Sequence, residues 1–551
     1  MDRHATAIDP VDLTRRTSGL AVHVVVLLGL HLLVQLVLGA GIWTVDEGVY
    51  LLQSEWVQDG YWTESVPQSS IGGTASEPVI ALPINNGSIV GEDSWIVYGR
   101  HPAYPALLAT AARIGGSFGA PLVSIIAAVI ASLLVGLSVK KNRVMAFWLT
   151  ALATPLFFHA HVVWGHPLGV AAAALATYGL LRARQTNGPD VLGLAALAAG
   201  LVAVSLVRTE GAIFAIATVL VLGLDWLLHD RTLAGMRIGA VAVAGLVGGV
   251  VLDTIWRTSV LNGRVTAASA ADLSRVSPLG RLSALLTMTL GLGGPPINAV
   301  MRMALILLVI VAAIAVRSGQ SLPSWGFAVA AAVGVLAAGS ATNTGFLVAA
   351  PIVTFGLIAG SRGPSDALLL RLVGLYWLGV IATIYDTTAG ADYGGRLLLL
   401  GLPALVIIAS GPIADLLRQY GVLAVAAVAV IVGASVLSSW RTLAVAHDAS
   451  DAMVTELADF AATHPGAQLV ATELRTGRVA WELHPMGLAT TKRDGVAAFV
   501  ADGSVTGTEV WLVGAGIGKT WLSGAIPTGW GSAEVYSGDT VTAIRIAPVA
   551  E

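Results

Sequence analysis

Residues 20–50 read LAVHVVVLLGLHLLVQLVLGAGIWTVDEGVY. From Leu20 to Trp43 the run contains no Asp, Glu, Lys or Arg, and a bilayer is crossed by about 20 such residues. A cleaved secretory signal has a shorter apolar core of about 7–15 residues, so the stretch reads as a retained first helix. Arg15-Arg16 in front of it reads as a cytoplasmic anchor, because inner segments collect cations. The run ends in Asp46-Glu47. Ionised carboxylates at the hydrocarbon edge are costly unless paired or used. Two in succession point to proton abstraction or cation binding at the membrane surface. Neighbouring like charges push one pKa upward, which suits a general base.

The remainder of the chain repeats this apolar pattern. Of 551 residues 56% are hydrophobic and 11% charged, against about 25% charged in soluble domains. Mean hydropathy is +0.79. Apolar runs predict helices near 20–42, 119–138, 144–158, 165–182, 191–206, 210–228, 236–256, 297–316, 323–340, 344–360, 370–388, 395–411 and 420–438. The expected fold class is therefore an all-α polytopic bundle of 11–13 spans over residues 1–440. With the N-terminus inside, every inner connection carries a cation: Lys140, Lys141 and Arg143; Arg182 and Arg184; Arg231 and Arg237; Arg317; Arg362 and Arg371; Arg418. The outer side then receives the segments 43–118, 159–166, 258–296 and 386–396, and the tail from 441. Most of the chemically interesting side chains fall on that side, which locates a reaction or binding site at the outer face.

Residues 441–551 regain charge and are numerous enough for one small α/β domain. Residues 448–463 have helical spacing; 468–472, 509–513 and 541–546 read as strands. This domain is expected to be extracytoplasmic. The net charge of −3 gives no basic field for a nucleic-acid partner. The absence of cysteine excludes disulfides, thiolate nucleophiles and cysteine-based metal centres.

Several outer clusters accompany the acidic pair. Gly99-Arg100-His101-Pro102 leads into an apolar run; Arg100 and His101 are suited to neutralising a phosphate. His159, His161 and His166 share one turn, but spacings of two and five do not bring three imidazoles to one helical face, so a structural role, or phosphate or sugar contact by His166, is favoured over a metal. Arg208-Thr209-Glu210 reads equally as a structural ion pair or a phosphate ligand. In Asp392-Tyr393-Gly394-Gly395-Arg396 the glycines admit close backbone approach. Arg396 at a helix start makes an anion site with the exposed N–H groups. Gly514-Ala-Gly-Ile-Gly-Lys519-Thr520 looks like a phosphate loop, but Val513 stands where the first Gly belongs. No cofactor is expected, and nothing in the sequence supports a divalent cation.

Four stretches together resemble the GT-C superfamily of membrane glycosyltransferases, in particular the bacterial protein-mannosyltransferase and aminoarabinose-transferase-like branch. They are Asp46-Glu47-Gly48-Val49-Tyr50, His101-Pro102-Ala103-Tyr104-Pro105, the segment from Pro155 to Tyr178 with Trp164-Gly165-His166, and Gly390 to Pro403 with Gly394-Gly395-Arg396. The sequence departs from the pattern at Gly165, where an acidic residue is common, and at Ala103, where a second Pro is. The resemblance implies transfer of a sugar from a polyprenyl-phosphate donor to a lipid, glycan or protein acceptor at the outer face. Asp46 would be the base and Arg396 a ligand of the lipid phosphate. Glu47 would be a further catalytic candidate, and Arg100, His101, His166, Arg208 and Asp392 substrate or phosphate contacts. The chemistry agrees with the residue types: a phosphate leaving group needs charge neutralisation, and an acceptor hydroxyl needs a base within hydrogen-bond reach. Three alternatives remain open at this level: a transporter, a polymerase or ligase using a pyrophosphate-linked donor, and a non-catalytic assembly subunit. A transporter would want polar residues at mid-membrane and internal repeats. A polymerase or ligase would share the outer arginines but not the acidic pair.

Overall fold

The computed structural model describes residues 10–39, 41–65, 88–90, 94–96, 101–185, 190–229, 231–260, 277–292, 296–319, 332, 345–360, 363–383, 393–472, 474–486, 488–490, 496–501, 509–516 and 519–549. Helix α1 (Pro10–Leu38) contains the expected first span. The segment after it is more ordered than a loop. It holds α2 (Val45–Gln58), a small antiparallel sheet of β1 (Glu64–Ser65), β2 (Ser88–Val90) and β3 (Ser94–Ile96) in the order β1-β3-β2, and α3 (Ala103–Gly115). Helix α2 starts at Thr44 because the Thr44 hydroxyl accepts from the Asp46 N–H while Glu47 reaches back to the Thr44 N–H. That reciprocal cap satisfies donors a helix start otherwise leaves open.

The bundle continues through α4 (Gly119–Ser138), α5 (Arg143–Leu152), α6 (Leu156–His159), α7 (His166–Gln185), α8 (Val191–Val207), α9 (Thr209–Leu228) and α10 (Leu233–Val260). Next come α11 (Pro278–Leu290), α12 (Pro296–Arg317), α13 (Phe346–Ala349), α14 (Pro351–Ala359), α15 (Pro364–Thr383) and α16 (Leu402–Thr463). Among the described residues seven helical segments are long and apolar enough to cross a membrane, and α5 and α8 are shorter apolar helices. The span expected at 323–340 lies outside the described residues. Helices α7 and α8 meet backbone to backbone: a Cβ on Gly179 would lie 2.3 Å from the Leu197 nitrogen, and one on Gly200 2.4 Å from that of Ala176. Such small-residue seams let apolar helices approach where water supplies no driving force between them.

Two late spans were expected, at 395–411 and 420–438. The first begins as a 3₁₀ turn, Arg396–Gly401, and runs into α16; the second is the continuation of α16 beyond a break at Gly421 (φ 58°, ψ −137°). Helix α16 then passes residue 440 without interruption and ends at Thr463. Its last turns join the C-terminal core, where Met453, Leu457 and Phe460 pack with Leu469, Trp511 and Val513. A five-stranded sheet follows in the order β5-β4-β6-β8-β7, made of β4 (Gln468–Ala471), β5 (Leu488–Thr490), β6 (Val510–Ala515), β7 (Trp530–Ser537) and β8 (Val541–Pro548). Strand β4 pairs in parallel with β5 and β6; β8 is antiparallel to β6 and β7. The three expected strands are β4, β6 and β8. Helix α17 (Leu474–Val479), which leaves β4, lies against α2. The C-terminal domain thus rests on the helix that carries the acidic pair.

Candidate active site

Glu47 is buried, and its carboxylate is fully engaged by backbone. Oε1 accepts from the N–H groups of Trp43 at 2.7 Å and Thr44 at 2.8 Å, and Oε2 from that of Val163 at 2.7 Å. It ties the end of the first span to the 159–166 turn. Burial pushes its carboxyl up to about 7 against the pull of these three N–H groups, with a smaller push from Asp46. Glu47→Ala, which strands three buried donors, is expected to cost at least about 2 kcal/mol of stability. The folded protein holds the Glu47 proton between pH 4.5 and about 7 whereas the unfolded chain releases it. The stability this proton contributes is therefore full below pH 4.5 and lost as pH rises to 7. Comparing melting temperatures of wild type with the non-titrating Glu47→Gln from pH 5 to pH 8, the wild type should lose ground as pH rises; gaining ground would refute the burial argument.

Asp46 is held by the same helix cap but is half-exposed. Its Oδ2 lies 3.3 Å from Nη1 of Arg396, across 350 residues of chain. The Arg396 guanidinium is centred 4.5 Å above the Trp164 ring, a cation–π arrangement that fixes its plane. Two glycines aim it. Gly394 and Gly395 have φ of +69° and +61°, and a Cβ on Gly395 would stand 2.3 Å from the Met288 carbonyl oxygen. Only Gly makes that turn against that neighbour. Tyr393, just before, stacks on Phe158 with centroids 4.1 Å apart, and its hydroxyl is 2.8 Å from that of Ser439. Its carbonyl accepts from His159 Nε2 at 3.1 Å, so the second nitrogen of His159 is the acceptor one; it has no hydrogen-bond partner among the described residues.

His166 opens α7, buried, with its ring 4.8 Å from Trp164 and 5.5 Å from His159. Its Nε2 also has no hydrogen-bond partner among the described residues. Arg208 and Arg396 both lie within electrostatic reach of His159 and His166. Arg208 is gripped by Glu210 in a bidentate pair, Nε–Oε2 at 3.0 Å and Nη2–Oε1 at 2.9 Å. Its methylenes cross α7 over glycine: a Cβ at Gly169 would sit 3.2 Å from Arg208 Cγ, and one at Gly165 3.4 Å from Cδ. The tighter contact is at Gly169; at Gly165, the departure noted in the sequence, a Cβ would stand in ordinary contact with this arginine.

The structure thus gathers Asp46, Arg396, His166 and Arg208 around Trp164 and His159. The other expected site residues fare differently. Glu47 is committed to backbone. Both nitrogens of His101 are occupied, Nδ1 by Asp253 Oδ1 at 3.1 Å and Nε2 by the Thr209 hydroxyl at 2.9 Å; it bridges α10 to the start of α9. His161 turns away from its two neighbours toward His31 (3.1 Å) and Gln35 (3.1 Å), so the three histidines of the turn do not converge. Arg100 and Asp392 lie outside the described residues. Trp164, in the sequence only part of the third stretch of the resemblance, has a face covered by Arg396.

No family model matches the chain, and no curated protein resembles it in sequence. Solved structures do match in shape. ArnT from Cupriavidus metallidurans bound to undecaprenyl phosphate superposes with a TM-score of 0.53 at 13% identity, covering 95% of this chain and 98% of that one. An oligosaccharyltransferase from Archaeoglobus fulgidus, tethered to an acceptor peptide containing the NVT sequon, gives 0.50 at 13% identity, covering 90% of this chain and 69% of that one. At 13% identity the likeness is one of fold, and this chain shares the fold of these two solved structures.

Proposed function

We propose that the protein is a membrane glycosyltransferase that moves a sugar from a polyprenyl-phosphate donor to an acceptor hydroxyl at the outer face. The observation that carries this reading is the pairing of Asp46 with Arg396 beside two buried histidines with bare nitrogens. Undecaprenyl phosphate on one structural neighbour and an acceptor peptide on the other agree with it.

Asp46 and Arg396 neutralise each other across 3.3 Å. A donor phosphate competes with Asp46 for the guanidinium, which leaves the carboxylate available to the acceptor. The acceptor oxygen then attacks the anomeric carbon, and its proton passes to Asp46. The bond from that carbon to the phosphate oxygen breaks, and the electron pair leaves with polyprenyl phosphate, stabilised by Arg396 and by the positive charge of Arg208 nearby. In-line displacement inverts the anomeric centre. Glu47 acts as a positioning residue, holding Asp46 through the α2 cap and the 159–166 turn through Val163. The C-terminal domain, seated on α2, is on this reading extracytoplasmic and close enough to present the acceptor.

The test is turnover by purified protein offered a panel of polyprenyl-phosphate sugars, with and without membrane-extract acceptors. Acceptor-dependent release of polyprenyl phosphate supports the transferase and names the sugar. Indifference to every donor, alongside consumption of a pyrophosphate-linked one, would replace it with the polymerase or ligase reading.

A further inference from the structure

At the opposite end of the bundle, two arginines and a histidine from three helices converge on one carboxylate. Arg184 at the end of α7 donates to Asp225 Oδ2 at 2.7 Å; His229, just past α9, lies 3.6 Å from Oδ1; Arg371 of α15 lies 3.8 Å from Oδ1. The neighbouring Arg182 is matched one to one by Asp190 at 2.7 Å. Asp225 is not matched in this way: it is buried and faces two guanidiniums with one negative charge. Arg371 is too far from it for a hydrogen bond, and its side chain is 45% exposed.

The surface leading away from this cluster is apolar and uncovered. On α15, Arg371, Leu375 and Leu378 fall at i, i+4 and i+7, one face of the helix, and Leu378 is 63% exposed. On α9, Ile216, Leu220 and Leu224 repeat at i, i+4 and i+8, all exposed. The two helices pack against each other. Together they present a cationic head at the inner end and an apolar seam running outward from it.

We propose that this is a binding site for an anionic glycerophospholipid of the inner leaflet. Arg371 and Arg184 take the phosphate, His229 flanks it, and the acyl chains lie along the Leu375–Leu378 and Leu220–Leu224 stripes. A zwitterionic lipid brings its own cation to a place that already has a surplus, so the site discriminates by net headgroup charge. The seam is independent of the outer-face chemistry, and its orientation is the one set by the inner-loop cations.

The test titrates the full-length protein in neutral detergent with phosphatidylglycerol, phosphatidylcholine or inorganic phosphate, reading bound lipid by native mass spectrometry and melting temperature in parallel. Phosphatidylglycerol should bind and stabilise, phosphatidylcholine and free phosphate should not. Arg371→Gln should weaken binding about fivefold, the effect of one cation near an anionic headgroup, and Arg371→Lys should restore most of it. His229→Gln, at an exposed position, gives a second variant should Arg371→Gln fold poorly. Arg418→Gln, which removes an inner cation already paired with Asp415, should change nothing. Equal binding of both lipids, or an equal loss from Arg418→Gln, would overturn the site and leave only general surface charge.

Discussion

Asp46→Asn is expected to lower kcat by about 10²–10⁴, the range a positioned general base contributes, without unfolding the protein. The amide keeps the shape of the carboxylate, and its oxygen can still accept from Arg396, whose Nη1 lies 3.3 Å from Oδ2. The cap of α2 uses the Asp46 backbone N–H and the side chains of Thr44 and Glu47, none of which the substitution touches. What it removes is the ability to take a proton and the negative charge that competes with the donor phosphate for Arg396. The two losses show in different kinetic parameters: kcat falls with the lost base, while the donor KM stays level or drops with the lost competitor, and polyprenyl phosphate becomes a tighter product inhibitor. A steady kcat with a raised donor KM would mean that Asp46 merely orients Arg396. Asp46→Glu, with the charge restored one methylene further out, should recover part of kcat.

The spans were legible because hydropathy sums over about 20 residues and tolerates local error. Order within the outer segment was not. Thr44-Val-Asp-Glu47 is a capping-box signature four residues long, yet beside a membrane its two acids read first as charge. The same four residues therefore announced the site and concealed that Glu47 belongs to the backbone. Composition placed Asp46 and Arg396 on one side of the membrane, but no local pattern could pair residues 350 positions apart. Asp253 was invisible for another reason: it is a single acid inside the apolar α10, and its partner His101 comes from a different element. Strand β5 has only three residues, and β7 is an edge strand whose side chains are mostly exposed, so neither shows the buried apolar run that marks β4 and β6. The continuity of α16 across residue 440 escaped because the change in composition there coincides with no change in backbone: the helix leaves the apolar bundle and exchanges lipid neighbours for the sheet.

Arg396→Ala should cost about 10²–10³ in kcat/KM, the loss typical of removing one preorganised donor from a developing anion, and most of it should appear in handling of the phosphate. The guanidinium is oriented from three sides, by Asp46, by the Trp164 face and by the left-handed Gly394-Gly395 turn. Arg396→Lys keeps the charge but lacks the planar fork, so it should fall between wild type and Ala. Inhibition by polyprenyl phosphate separates this from simple damage. Wild type should be inhibited, Arg396→Lys less so, and Arg396→Ala scarcely at all, with melting temperatures close to one another because Arg396 lies at the mouth of the bundle rather than in its core. The pair with Asp46 sharpens the test. If both residues serve one reaction, the double substitution Asp46→Asn with Arg396→Ala should cost less than the sum of the two single losses, since a base without a held phosphate has nothing to activate against. Strict additivity would place them in separate roles, and an unchanged response to polyprenyl phosphate in Arg396→Ala would move the phosphate to Arg208, whose guanidinium is already committed on one edge to Glu210.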